Sequence, residues 1–151
     1  MAMLIRTDRD SEAPQQAVLR GMTSAAFLVH PQVRITEGRA PRDGHDEVMV
    51  GELAHTRLGV ARELLDVGRT LWFDDRPWDI VGRFAAPGTV KHAEIWLPLQ
   101  NLLIANKRDT ISCVIVTLDS ADFADVSAFC QQRLDLELAA VRESDYYAEL
   151  S

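Results

Sequence analysis

At 151 residues and 16.9 kDa the chain has the size of one domain or two small lobes, and a hydrophobic fraction of 47% suffices for a packed core. A net charge of −7 argues against a nucleic-acid partner, because no basic stripe exists to neutralise phosphates. No apolar run reaches the roughly 18–20 residues of a bilayer span, and Met1–Arg6 lacks the apolar core of a signal peptide, so composition alone reads as cytoplasmic.

In chain order, residues 3–7 predict a short strand, 8–14 a polar turn and 16–21 a second strand. Residues 24–28 fit one helical turn. Over 32–37, Val33 and Ile35 alternate with Arg34 and Thr36, the period-two pattern of a strand buried on one face. Pro41-Arg42-Asp43-Gly44 is turn chemistry. Val48-Met49-Val50 is apolar without alternation, which predicts a strand covered on both faces. Residues 52–58 predict a short helix stopped by Gly59, and 60–67 a further helical stretch ended by Gly68.

Residues 71–73 and 78–84 flank Asp74-Asp75-Arg76-Pro77 and predict a hairpin. On its second strand Trp78, Ile80, Gly82 and Phe84 are expected on one face. Gly82 in a strand interior signals a bulge or a close backbone approach. Residues 93–97 predict another strand, with Pro98 as the first position of a helix over 99–105.

The last third reads as strand, helix, strand. Ile111 to Leu118 is strongly β-prone, and Asp119-Ser120 caps a helix with Asp122 in its first turn. Phe123, Val126, Cys130 and Leu134 recur at helical spacing and are expected to face the core. Residues 136–141 complete the unit as a strand. Tyr146 and Tyr147 suit either a water–lipid interface or an ordinary helix start.

Catalytic chemistry finds no foothold in these elements, and the catalytic, metal and cofactor-binding sets are all expected to be empty. His92-Ala93-Glu94 matches half of a zinc-deaminase signature, but the downstream P-C-x-x-C half is missing. His45-Asp46-Glu47 is the densest run of ligand types and reads as a polar loop entering a strand, where neighbours point to opposite faces. His30 and His55 have no ligand type four residues on. Nucleophile elbows and glycine-rich phosphate loops are absent. Cys113 and Cys130 are expected as buried free thiols, a bridge between them being the alternative in an oxidising compartment. Trp72, Trp78 and Trp96 read as sheet packing, with an exposed recognition patch as the alternative.

A relay of glycine-punctuated fragments links the middle of the chain: Glu37-Gly38-Arg39-Ala40-Pro41, Glu47 to Ala54, Val67-Gly68-Arg69-Thr70-Leu71-Trp72-Phe73, Trp78-Asp79-Ile80-Val81-Gly82-Arg83-Phe84 and Glu94-Ile95-Trp96-Leu97-Pro98. In order and spacing it resembles the extracytoplasmic (periplasmic core) domain of FtsX-like/MacB-like ABC transporter permeases, from about residue 16 to the end. The stretch 60–66 departs from that pattern as an insertion.

The resemblance implies an α+β fold: a mixed-sheet Sabre-like lobe over 16–110 and a βαβ half of a porter-like lobe over 111–143. Residues 1–15 would supply a partial porter strand and linker, and 144–151 a lead-in to a membrane helix. It further implies a domain that is not an enzyme and carries no cofactor, with ATP bound by a separate ATPase subunit or domain. Expected partners are that ATPase, a second permease subunit, and a periplasmic or surface protein or lipophilic cargo. The segment would sit on the extracytoplasmic side of the cell membrane and relay motion. The alternative is a free-standing module that binds protein or lipid.

Overall fold

The computed structural model describes residues 1–11 and 13–150, and the chain divides into two compact units, Met1–Val114 and Ile115–Ser151. The first unit is built on a seven-stranded mixed sheet. Its strands are β1 (Ala2–Ile5), β2 (Gln15–Met22), β3 (Arg34–Gly38), β4 (Glu47–Gly51), β5 (Thr70–Phe73), β6 (Arg76–Ala85) and β7 (Ile95–Pro98). They run in the order β1-β2-β7-β4-β6-β3, with β5 also on β6. The β2–β7 and β4–β6 pairs are parallel and the others antiparallel.

The sheet curls until its ends meet. Just beyond β1, the Arg6 and Trp72 backbones exchange two hydrogen bonds of 2.8 Å, joining β1 to β5. Closure satisfies edge groups that would otherwise be open to another chain. The strand at 3–7, assigned from sequence to the porter-like lobe, thus pairs with β2 on one side and meets β5 on the other.

The inner face holds the larger core: Ile5, Leu19, Val48, Val50, Leu71, Trp78, Ile80, Ile95 and Leu97. It is sealed by α2 (Ala54–Leu58), a 3-10 turn at Arg62–Leu65 and α3 (Leu99–Ala105), through Ala54, Leu58, Leu65, Leu102 and Ala105. A second core of Met22, Val33, Met49, Phe84 and Trp96 lies on the other face, joined by Ala26 of α1 (Ala26–Val29). β4 contributes to both cores, and all five of its residues are buried, as its unalternating sequence requires.

The expectation of one shared face for Trp78, Ile80, Gly82 and Phe84 fails at a bulge. Val48 pairs with Ile80 but Met49 pairs with Gly82, so one residue of β6 is extra. That inserted residue reverses the alternation. Trp78 and Ile80 point into the larger core, Phe84 into the second, and Arg83 takes the inward place opposite Val50. Gly82 is required there, because a Cβ would lie 2.1 Å from the Arg39 carbonyl oxygen. The bulge also marks where β6 changes neighbour, from β5 to β3.

Local signals elsewhere hold. The hairpin is present, tightened to the two residues Asp74-Asp75, both at positive φ (53° and 54°), with Arg76 and Pro77 already in β6. Gly59 ends α2 in the left-handed conformation. Pro98 closes β7 and is the N-cap of α3, one place before its expected first position.

The second unit differs from expectation. Its helices are α4 (Phe123–Gln132) and α5 (Glu143–Leu150), and α4 carries a capping box between Asp122 and Asp125. Neither 111–118 nor 136–141 forms a strand among the described residues. A strand exists only with a hydrogen-bonded neighbour, and none is paired here, however β-prone the sequence. Phe123, Val126 and Cys130 are half-buried, but Leu134 is 81% exposed instead of facing a core. Cys113 is exposed rather than buried, and both cysteines are free.

Candidate functional site

Side chains that sequence marked for possible chemistry are occupied in holding the sheet. Glu94 is buried beside the outward-facing Trp96. Arg20 of β2 grips its carboxylate with both nitrogens, Nε to Oε2 at 2.7 Å and Nη2 to Oε1 at 2.9 Å, while Trp96 Nε1 donates to Oε2 at 2.8 Å. Burial works to raise the Glu94 carboxyl, but bonding and charge from Arg20, helped by Trp96 and Lys91, outweigh it and hold it below its ordinary 4.5. His92, the other half of the H-x-E pair, accepts a hydrogen bond at Nδ1 from the Ala86 N–H at 2.9 Å. The two halves serve different partners.

The 45–47 run is likewise divided. His45 Nδ1 lies 3.1 Å from the Asp43 carbonyl. Asp46 takes Arg76 at 2.5 Å and Asn101 at 3.1 Å, tying β4 to the hairpin and to α3. Glu47 meets Arg39 at 2.5 Å and Arg42 at 2.8 Å, and these two overcome burial to lower its carboxyl. His30 packs edge-on to Trp96 at 5.6 Å. Among the described residues no three His, Cys, Asp or Glu side chains gather as metal ligands would.

Arg83 was not marked by sequence at all. Turned inward by the bulge and fully buried, it donates from Nη1 to the Leu65 carbonyl and to Asp66 Oδ1, both at 3.2 Å, with Glu52 at 3.9 Å. It anchors the 3-10 turn at Arg62–Leu65 and the following Asp66 onto the sheet. No local signal could have found it, since its orientation depends on one extra residue upstream.

Of the tryptophans, Trp78 and Trp96 are wholly buried, while Trp72 is half-buried with the Arg9 guanidinium 5.7 Å from its ring. A cleft of about 220 Å³ is lined by Met22, Phe27, Pro41, Asp43 and Pro98 among others. That is smaller than the range typical of ligand pockets.

A closed ring of strands, tied by ion pairs between segments distant in sequence, is therefore what this unit offers. The profile of the MacB-like periplasmic core domain matches residues 2–129, most of the chain. The chain belongs to that family. None of the curated proteins matches it. Among solved structures, this MacB-like core domain is similar to the extracellular domain of the noncanonic ABC-type transporter YknZ from Gram-positive bacteria. The TM-score there is 0.63 at 18% identity, over 83% of this chain and 65% of that one. It is also similar to the periplasmic region of MacB from Actinobacillus actinomycetemcomitans, with TM-score 0.62 at 15% identity, over 99% of this chain and 71% of that one. The chain thus spans just under two thirds of the YknZ domain. Such identities establish a common fold, a curled mixed sheet with few helices, and leave the role to be argued. No helix among the described residues is long and apolar enough to cross a membrane.

Proposed function

We propose that this MacB-like core domain is the non-catalytic, extracytoplasmic part of an ABC transporter permease. In this reading it relays ATP-driven movement of membrane helices to a periplasmic or surface partner or cargo. The observation that carries the reading is the sheet closed through Arg6 and Trp72 and cross-braced by Arg20–Glu94, Arg76–Asp46 and Arg83–Asp66, in a chain of this family. A body that transmits displacement must not absorb it, and of these braces Arg20–Glu94, bidentate with a buried carboxylate, resists shear best, the more exposed pairs contributing less. ATP would be bound by a separate subunit or domain, and the porter-like role of 111–143 belongs to the same proposal.

Location is the part most directly tested. With Cys113→Ser and Cys130→Ser removing the native thiols, Arg57→Cys places one thiol on the exposed side of α2. In spheroplasts of the native host, a membrane-impermeant maleimide should label it without lysis. Labelling only after lysis would refute the extracytoplasmic placement.

A further inference from the structure

We propose that residues 60–67 form a strap that swings open about Gly59 and Gly68 while the ring of strands beneath it stays closed, with Arg83 as its latch. Both glycines hold positive φ, 70° and 97°, and an added Cβ would meet nothing within 4 Å at either, so the backbone has room to turn at each end. Between them the backbone bonds mostly to itself: the Leu64 N–H donates to Ala61, the Asp66 N–H to Glu63 and the Arg69 N–H back to Asp66. Among the described residues, its backbone bonds to the rest of the unit sit at the two ends, Val60 N–H to His55 at 3.1 Å and Gly68 N–H to Ile80 at 2.9 Å. A rigid swing keeps the internal bonds and breaks only those at the ends.

Side chains supply the remaining hold. Leu65 alone in the strap is buried, as a plug in the larger core, with Val60 packed partly against the same core. Arg62 reaches Glu52 at 3.4 Å and Glu37 at 3.7 Å, and Arg83 takes the Leu65 carbonyl and Asp66. The latch is incomplete. Arg83 Nε and Nη2 are buried with no hydrogen-bond partner among the described residues, and Glu52 stands off at 3.9 Å. A buried guanidinium with donors unmade forfeits part of what its other bonds contribute, and opening returns those donors to water. The ring closure between Arg6 and Trp72 and the Arg20–Glu94 brace involve no strap residue. The strap can therefore yield while both hold, whatever this domain does in a transporter.

With Cys113→Ser and Cys130→Ser removing the native thiols, Leu65→Cys and Leu19→Cys each bury one thiol, the first in the strap and the second in β2. In urea below the unfolding transition, dithiobis(nitrobenzoate) should react about tenfold faster with Leu65→Cys, at a rate nearly flat in urea, whereas Leu19→Cys waits on global unfolding and climbs steeply. Adding Asp66→Asn, which takes the charge from the latch, should quicken Leu65→Cys by about tenfold. Adding Glu94→Gln, which loosens the β2–β7 brace, should quicken Leu19→Cys and leave Leu65→Cys unchanged. Hydrogen exchange on the unsubstituted chain decides the matter even where Leu65→Cys does not fold. The Gly68 amide should exchange at a rate insensitive to urea, while that of Gly51, bonded to Glu94 at 2.8 Å, rises with urea. Equal labelling at positions 65 and 19 overturns the proposal. So does acceleration of both variants by Glu94→Gln, a rate at position 65 indifferent to Asp66→Asn, or a Gly68 amide that follows urea as Gly51 does.

Discussion

The two units are both rich in apolar residues and bury them to very different degrees. In Met1–Val114 the runs Val48-Met49-Val50 and Ile95-Trp96-Leu97 are wholly buried. In Ile115–Ser151 no helix has a buried side chain, and Leu134, Val141 and Phe129 are more than half exposed. Apolar sequence supplies the reason to be covered, and the cover itself has to come from other strands and helices. The first unit encloses its own cores by curling its sheet on itself. The second, which among its described residues has two helices and no strand, only half-covers side chains such as Phe123 and Val126.

Paired truncations should separate the units most sharply. Trp96→Ala removes a fully buried ring from the second core and should cost about 4 kcal/mol in urea unfolding. Leu134→Ala, on an 81% exposed side chain, should stay within about 0.5 kcal/mol. Equal losses at both sites would show that the second unit has a core after all.

A smaller effect tests the bracing of the first unit. Glu94→Gln weakens the grip of Arg20, which is itself 22% exposed, and should cost about 2 kcal/mol at pH 7. Because the folded carboxyl titrates below its ordinary value of 4.5, the stability it contributes is present above that pH and is lost as pH falls through the lower folded value. The gap between the parent chain and Glu94→Gln should therefore close as the solution is acidified below about pH 4.5. A gap that persists unchanged into strong acid would mean that the carboxylate's charge is not what braces the strand pair.

The gentlest perturbation concerns the hairpin. Asp75 has φ of 54°, which glycine adopts without strain, so Asp75→Gly should raise stability by about 0.5 kcal/mol. The midpoint of thermal unfolding should rise by a few degrees at most. A fall instead would mean that the Asp75 side chain contributes more than its backbone strain costs.

Much of the first unit was legible because its signals are local. Four turn-type residues between β-rich runs announce a hairpin, a glycine after Leu58 announces a helix end, and unbroken apolarity at Val48–Val50 announces a strand covered twice. The order of such fragments also carried the family. The braces were not legible: Arg20 and Glu94 lie 74 residues apart, and nothing near either one names the other. Nor did the fragments foretell that 111–118 would find no strand to pair with.

Sequence by itself determined where the chain turns, which runs are apolar, and that the familiar catalytic motifs are missing. Tertiary structure alone decided that β1 would close a ring with β5, that Phe84 and Arg83 would exchange faces, and that Ile111 to Leu118 would remain exposed. The physical reason is the same in each case. Turns and caps depend on the dihedrals of a few neighbouring residues, whereas register, face and burial depend on which distant strand arrives alongside, and one extra residue in a pairing is enough to reverse them.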